Sequence, residues 1–194
     1  MSDEDPEIVA LTDRVLTQVF AMAEANTAKL RDELLPLLGL LSIEFNKMEG
    51  DFKYLLILLR DDLPLPEARK DALAYRNFSR LLAEVEKLLP EKFSDPAIIE
   101  EFATIAKEAD ELRVERNLMI HSVWHATSDP EMPFVRIKED EKDPEVDFDV
   151  PAVEKLVDRM NKFRNRAYGF FCKNVPGFSE LPATLHDSKR LGQR

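Results

Sequence analysis

Residues 34–59 read LLPLLGLLSIEFNKMEGDFKYLLILL, and their apolar pattern is the strongest indication of the fold class. Its large apolar side chains recur in steps that alternate between four and three residues: Leu34, Leu38, Leu41, Phe45, Met48, Phe52, Leu55 and Leu59. Such spacing is typical of the buried seam of a long helix that packs nearly parallel to a neighbouring helix. The sequence therefore predicts a helical protein organised around this segment.

Apolar residues at helical spacing predict four further helices on either side of this segment. Their approximate ranges are 6–33, 67–89, 96–119 and 151–172. Pro36 is expected to interrupt the chain between the first and second helices, because proline fits poorly inside a helix. Asp95 before Pro96 is a typical helix start, in which a capping side chain precedes proline at the first helical position.

Two short segments alternate apolar and polar residues instead, which is typical of strands. Residues 133–138 and 145–150 predict the two arms of a β-hairpin, joined by an acidic turn at 139–144. The predicted fold is therefore all-α, an antiparallel bundle of four to five helices with a small β-hairpin inserted before the last long helix. We expect one helical domain over 1–172, with the hairpin at about 133–150, and an irregular C-terminal tail over 173–194.

The amino-acid composition of the chain restricts the classes of protein to which it can belong. The chain has 194 residues, of which 44% are hydrophobic and 34% charged, as in ordinary globular proteins. No apolar run approaches the roughly 20 residues of a membrane helix, and the acidic start of the chain is unlike a signal peptide. The one cysteine, Cys172, excludes an internal disulfide and a multi-cysteine metal site. We expect a cytoplasmic protein with no membrane association.

Charge is unevenly distributed along the chain. The net charge of −11 argues against indiscriminate binding to nucleic acid. Residues 129–149 carry a net charge of −6, whereas residues 151–175 carry +4. Within the basic segment, Arg159, Lys162 and Arg166 follow each other at helical steps of three and four residues. This stripe is either a binding track for the phosphates of RNA or a solvated helix face.

Arg116, Asn117 and His121 form the one polar group that interrupts an apolar helix seam. Arg116 fills the position between Leu112 and Met119 in that seam. Arginine is a permanent, planar cation suited to phosphate, and histidine transfers protons near neutral pH. Asn117 lies one helical turn before His121 and could orient its ring. The alternative interpretation is structural, with the arginine in an ion pair and the histidine at the helix end.

Arg116-Asn117-x-x-x-His121, near the end of a long helix in a helical bundle, resembles the Arg-x(4–6)-His motif of the HEPN superfamily. The segments at 39–49 and 122–124 are also similar to bacterial members, and the likeness in topology covers roughly residues 10–172. The resemblance implies a homodimer whose two motifs form one composite site, and a metal-independent endoribonuclease of toxin or defence type. His121 would then be the general acid or base, Arg116 would hold the scissile phosphate and Asn117 would position them, while Arg159, Lys162 and Arg166 would bind substrate.

Several alternatives stay open at this point. The resemblance also fits a catalytically inactive HEPN-like module that binds a ligand, a cognate antitoxin or another protein. His121 and His125 could share a metal ion if the helix continues through Trp124, although no third ligand is evident, and no metal or cofactor is expected. Trp124 is interpreted as an anchor for the core or the hairpin. Glu49, midway along the second helix, either contacts the site or is an exposed carboxylate.

Overall fold

The computed structural model describes residues 6–121, 123–129, 134–137 and 149–180, and for 6–13, 123 and 134–137 it describes the backbone alone. Within these ranges the chain is predominantly helical, so the predicted all-α class is confirmed. The elements, in chain order, are α1 (Pro6–Lys29), a π-helical turn (Leu30–Leu34), α2 (Leu35–Leu59), α3 (Leu65–Ala74), α4 (Phe78–Lys92), α5 (Pro96–Ile120), β1 (Val123–Ala126), β2 (Phe134–Ile137) and α6 (Val150–Asn174).

The apolar seam of residues 34–59 is buried along its whole length. All eight of the large apolar side chains that predicted this helix are at most 9% exposed. Because burying each such side chain is worth about 1.5–3 kcal/mol, this one seam is a major source of the stability of the fold. The alternating spacing thus identified the inward face of α2 correctly.

Two of the predicted helix boundaries differ from the observed ones. Pro36 does not separate two helices, because the π-helical turn at 30–34 adjusts the hydrogen bonding before it: the N–H of Leu35 donates to the carbonyl of Leu30. The predicted helix at 67–89 is two helices, α3 and α4. Asn77 begins α4, since its side chain accepts a hydrogen bond from the N–H of Arg80 at 3.2 Å, and α4 runs past Pro90 to Lys92.

The chain divides into two compact units. The first comprises 1–41 and 117–157, and the second comprises 42–116 and 158–194. In the first unit, the buried Asn26 of α1 donates through Nδ2 to the carbonyls of Thr127 and Asp129, at 2.8 and 3.1 Å. These bonds satisfy a buried polar group and fix the segment after β1 to α1.

The core of the second unit is aromatic. The ring of Phe52 on α2 is fully buried and lies 5.4 Å from Phe78 on α4, 6.4 Å from Phe102 on α5 and 5.4 Å from Phe171 on α6, measured between ring centroids. All three contacts are edge-to-face, an arrangement that aromatic pairs favour. One side chain therefore joins four helices of this unit.

The strand pairing differs from the predicted hairpin. The predicted strand at 133–138 contains β2, but β2 pairs antiparallel with β1, which the sequence did not predict as a strand. Residues 139–148 of the predicted turn and second arm lie outside the described residues. Of the rest of that arm, Asp149 is in neither helix nor strand and Val150 already begins α6. Helix α6 also extends two residues beyond the predicted 172, to Asn174.

Of the predicted tail at 173–194, the structure describes residues 173–180. Helix α6 ends at Asn174, and the chain then forms turns up to residue 180. Two of its residues, Val175 and Phe178, are buried. No helix in the described part of the chain is both long enough and apolar enough to cross a bilayer.

Candidate functional site

Arg116 lies in the second unit, near the end of the 25-residue helix α5. Its guanidinium lies over the ring of Phe45 on α2, with Cζ 4.9 Å from the ring centroid. This distance is within the range of a cation–π contact. Phe45 belongs to the buried seam of α2, so Arg116 packs against the core of the second unit.

The electrostatic surroundings of Arg116 are set by burial and by one carboxylate. Burial lowers the pKa of the guanidinium from its ordinary value, and the charge of Glu49 opposes that shift. Glu49 is half-buried, and its carboxylate pairs with Nζ of Lys53 one helical turn later, at 2.6 Å. Of the two alternatives for Glu49, the structure therefore supports an environment shared with Arg116 and not an exposed carboxylate.

Asn117 and His121 lie in the first unit, at the C-terminal end of α5. The half-buried Asn117 is in the last turn of the helix, which ends at Ile120. The backbone N–H of His121 donates to the carbonyl of Asn117 at 3.0 Å, so His121 is held by the last helical hydrogen bond. Its imidazole is exposed. An exposed imidazole can reach a substrate from solvent, which a core histidine cannot.

Trp124 fixes the direction of the chain immediately after the helix. Its Nε1 donates to the carbonyl of Met119 at 2.9 Å, which ties β1 back to the end of α5. His125 is exposed on β1, opposite Val135 of β2. The helix therefore does not continue through Trp124, and the helical spacing of His121 and His125 considered for a shared metal does not exist. No group of three or more metal-binding side chains occurs among the described residues.

The basic stripe on α6 is partly paired with acids of α5, all within the second unit. Arg159 Nη1 lies 2.6 Å from an oxygen of Glu115, and Arg166 forms an ion pair with Glu108 and lies over the ring of Phe163. The side chains of both arginines remain 43% and 54% exposed, and Lys162 between them is exposed. The stripe is therefore a solvent-exposed row of basic side chains in which the two arginines form ion pairs with acids of α5.

These two ion pairs between α5 and α6 were not predicted, but the sequence contains a signal for them. Glu108 and Glu115 are seven residues apart, as are Arg159 and Arg166, so each pair lies on one face of its helix. Glu108 pairs with Arg166, and Glu115 pairs with Arg159. The order is reversed between the two helices, so α5 and α6 run antiparallel here. Matching seven-residue spacings of opposite charge on two predicted neighbours would have indicated this pairing.

The structure therefore brings the predicted site residues into contact with partners that the sequence did not identify. Arg116 meets Phe45, Arg159 meets Glu115 and Arg166 meets Glu108. Phe45 could not be singled out from the sequence, because it is one of eight equivalent positions in the seam.

We compared the chain with known proteins: it matches no protein-family model, no curated protein and no solved structure.

Proposed function

We propose that this protein is a HEPN-like, metal-independent endoribonuclease whose composite active site forms at a homodimer interface around Arg116 and His121. The observation that carries the proposal is the exposed imidazole of His121, held at the end of the helix that also carries Arg116. A histidine needs access to solvent to act on RNA, and His121 meets this requirement.

Arg116 supplies the electrostatic part of the proposed chemistry. Its guanidinium is partly withdrawn from water and supported by the ring of Phe45. A cation in such an environment attracts an anion more strongly than one in bulk water, because the dielectric screening is weaker. The phosphodiester of RNA carries one negative charge and gains more on the way to its transition state. Arg116 is therefore suited to hold the scissile phosphate and stabilise that charge.

His121 supplies the proton transfer. As a base it takes the proton of the ribose 2′-OH while the 2′ oxygen forms a bond to phosphorus and the bond to the 5′ oxygen breaks. The leaving 5′ oxygen gains a proton, and the other product carries a 2′,3′-cyclic phosphate. Two copies of the chain provide two His121 side chains, so one can act as base and the other as acid. Asn117, half-buried one turn before His121, has the role of positioning this segment.

The experiment that tests this proposal compares two forms of one labelled oligonucleotide in EDTA. One is unmodified RNA, and the other carries 2′-O-methyl groups at every ribose. We expect cleavage of the RNA, no cleavage of the methylated strand and products that end in 2′,3′-cyclic phosphate. Cleavage of both strands would contradict attack by the 2′-OH. Cleavage of neither would overturn the nuclease.

A second candidate is a catalytically inactive HEPN-like module that binds a protein or other ligand. The observation that favours it is the pairing of Arg159 with Glu115 and of Arg166 with Glu108, which reduces the positive charge available to RNA. Under this alternative the motif stabilises the dimer and cleaves nothing. Action in the cytoplasm, a role in toxin–antitoxin or defence systems and regulation by a cognate antitoxin belong to the nuclease proposal and are tested with it.

A further inference from the structure

Two hydrogen bonds surround His121 at the end of α5. The last carbonyls of a helix have no partner inside the helix, so other donors must satisfy them. The last helical hydrogen bond runs from the backbone N–H of His121 to the carbonyl of Asn117, at 3.0 Å. Two residues after Asn117, the carbonyl of Met119 accepts the indole Nε1–H of Trp124 at 2.9 Å. His121 therefore lies in a short turn between Met119 and Trp124 that a side-chain hydrogen bond closes.

Both partners of the bond that closes this turn are anchored in the first unit. Met119 is only 2% exposed, so the accepting carbonyl belongs to a residue of the core. The backbone of Trp124 lies on β1, which pairs with β2, and its side chain is half-buried. Beyond β1, Asn26 of α1 donates to the carbonyls of Thr127 and Asp129. The chain after His121 is thus held first by Trp124 and then by Asn26.

The position of the His121 imidazole depends on how well this helix end is held. The ring is exposed, so its location is set largely by the backbone that carries it. Helix ends fray, whereas a general acid or base must lie within hydrogen-bond distance of the proton that it transfers. A misplacement of about 1 Å can reduce the rate of an enzyme by about 100-fold. A bond that restrains the end of α5 therefore matters to chemistry at His121 beyond its contribution to stability.

We propose that Trp124 is a positioning residue for His121 and acts through the carbonyl of Met119. Its role in RNA cleavage rests on the proposed function, whereas its restraint on the end of α5 does not. Trp124 touches no reacting atom in this arrangement, so it is not a catalytic residue. A purely structural tryptophan would affect unfolding and leave the chemistry of the folded protein unchanged.

The test compares Trp124→Phe with Asn26→Ala in the full chain. Phenylalanine keeps an aromatic ring and removes the N–H that donates to Met119. Asn26→Ala is the matched control, because it removes the donor to Thr127 and Asp129 and leaves the bond to Met119 in place. Both variants therefore loosen the segment that follows His121, but only one of them releases the end of α5.

The first readout is amide hydrogen exchange at His121, measured without RNA. We expect exchange in Trp124→Phe to be roughly fivefold faster than in the wild type, the factor that corresponds to the net contribution of one hydrogen bond. Asn26→Ala should change this rate less. An unchanged rate in Trp124→Phe, or an equal change in both variants, would overturn the proposal, since the indole would then not hold the end of α5.

The second readout is the kinetics of RNA cleavage in EDTA at equal folded concentration. We expect kcat to be at least about 10-fold lower in Trp124→Phe with KM little changed, because positioning affects the reacting geometry and not the binding of the strand. Asn26→Ala should retain the wild-type kcat. A wild-type kcat in Trp124→Phe, or an effect on KM alone, would overturn the positioning role.

The two readouts separate this inference from the proposed function. If the wild type cleaves no RNA, the nuclease and the catalytic role of Trp124 both fall, and the exchange rate of His121 alone decides whether Trp124 restrains the helix end. If the wild type cleaves RNA and the exchange rate is unchanged in Trp124→Phe, the restraint falls and the nuclease stands.

Discussion

The guanidinium of Arg116 lies 4.9 Å from the centroid of the Phe45 ring, measured from Cζ. This contact connects the polar motif at the end of α5 to the apolar seam of α2. It also explains how a charged side chain can occupy a position in an otherwise apolar helix face: the ring accepts the cation, and the charge of Glu49 favours it further.

Replacing Arg116 by lysine distinguishes the effect of its positive charge from the effect of its planar guanidinium. Lysine keeps the positive charge but loses the planar group that lies over Phe45 and that can bind phosphate through two parallel hydrogen bonds. We expect Arg116→Lys to reduce the rate of RNA cleavage by about 100-fold, a typical cost of losing one transition-state contact. Thermal unfolding should show a stability loss of only about 1 kcal/mol. A variant with the wild-type cleavage rate would show that Arg116 is structural.

Removing the acids that pair with the basic stripe should strengthen RNA binding. In Glu108→Gln and Glu115→Gln, Arg166 and Arg159 lose their carboxylate partners and become available to phosphate. We expect tighter binding of RNA by the double variant and a slope of log affinity against log salt that is steeper by up to about two. Unfolding should be easier by less than about 1 kcal/mol per pair, since both pairs are solvent-exposed.

The control for this charge change is Asp110→Asn, which removes one negative charge and is compared with each single variant, Glu108→Gln and Glu115→Gln. Asp110 is also on α5, but it pairs with Arg113 of the same helix at 2.7 Å and not with the stripe on α6. It should change RNA affinity little. An equal gain in affinity for Asp110→Asn would mean that overall charge, and not the release of Arg159 and Arg166, controls binding.

Asp51 should make stability depend on pH in an unusual direction. Burial raises the pKa of its carboxyl, although the hydrogen bond from Nε of Arg164 at 2.7 Å acts in the opposite direction. A carboxyl with a raised pKa binds its proton more tightly in the folded state than in the unfolded state. Its contribution to stability is therefore complete below the ordinary pKa of aspartate and is lost as pH rises through the folded value.

Urea unfolding of the wild type and Asp51→Asn across a pH series measures this effect. The free energy of unfolding of the wild type, relative to the variant, should fall as pH rises from below the ordinary aspartate pKa toward neutrality. Asp110→Asn should give the opposite trend, because the hydrogen bond from Arg113 lowers the pKa of Asp110. A rising difference for Asp51 would contradict the dominance of burial over its pairing with Arg164.

The core of the second unit should depend strongly on Phe52. Its ring contacts Phe78, Phe102 and Phe171 from three different helices. We expect Phe52→Ala to lower the free energy of unfolding by about 3–5 kcal/mol, as in other large aromatic deletions from cores. Leu73→Ala, on the exposed side of α3, should change it by less than about 0.5 kcal/mol. Similar effects of the two substitutions would be inconsistent with the packing described for Phe52.

The sequence predicted features that depend on periodicity and missed features that depend on tertiary contacts. The seam from Leu34 to Leu59 was predicted fully, because burial of one helix face leaves a regular apolar pattern. The break before Asn77 was missed, since it contains neither proline nor glycine and is made by one capping side chain. The strand β1 was missed for a related reason: four residues after a helix have too little length to show alternation.

The candidate site divides in the same way. Arg116 and His121 could be selected as candidates because a charge in an apolar seam and a histidine near it are visible in a single sequence. The positions of Phe45 under Arg116 and of Glu108 and Glu115 beside the basic stripe arise from packing between helices. Such contacts follow from spacing only when the neighbouring helices and their directions are already known.

The role of His121 is measured by the rate of RNA cleavage in EDTA by His121→Ala, compared with His125→Ala and the wild type at equal folded concentration. Both histidines are exposed and only four residues apart, so His125→Ala controls for changes in charge and folding. We expect wild-type cleavage by His125→Ala and a loss of at least about 100-fold for His121→Ala. Equal cleavage by all three proteins would contradict the assignment of His121 as the catalytic residue.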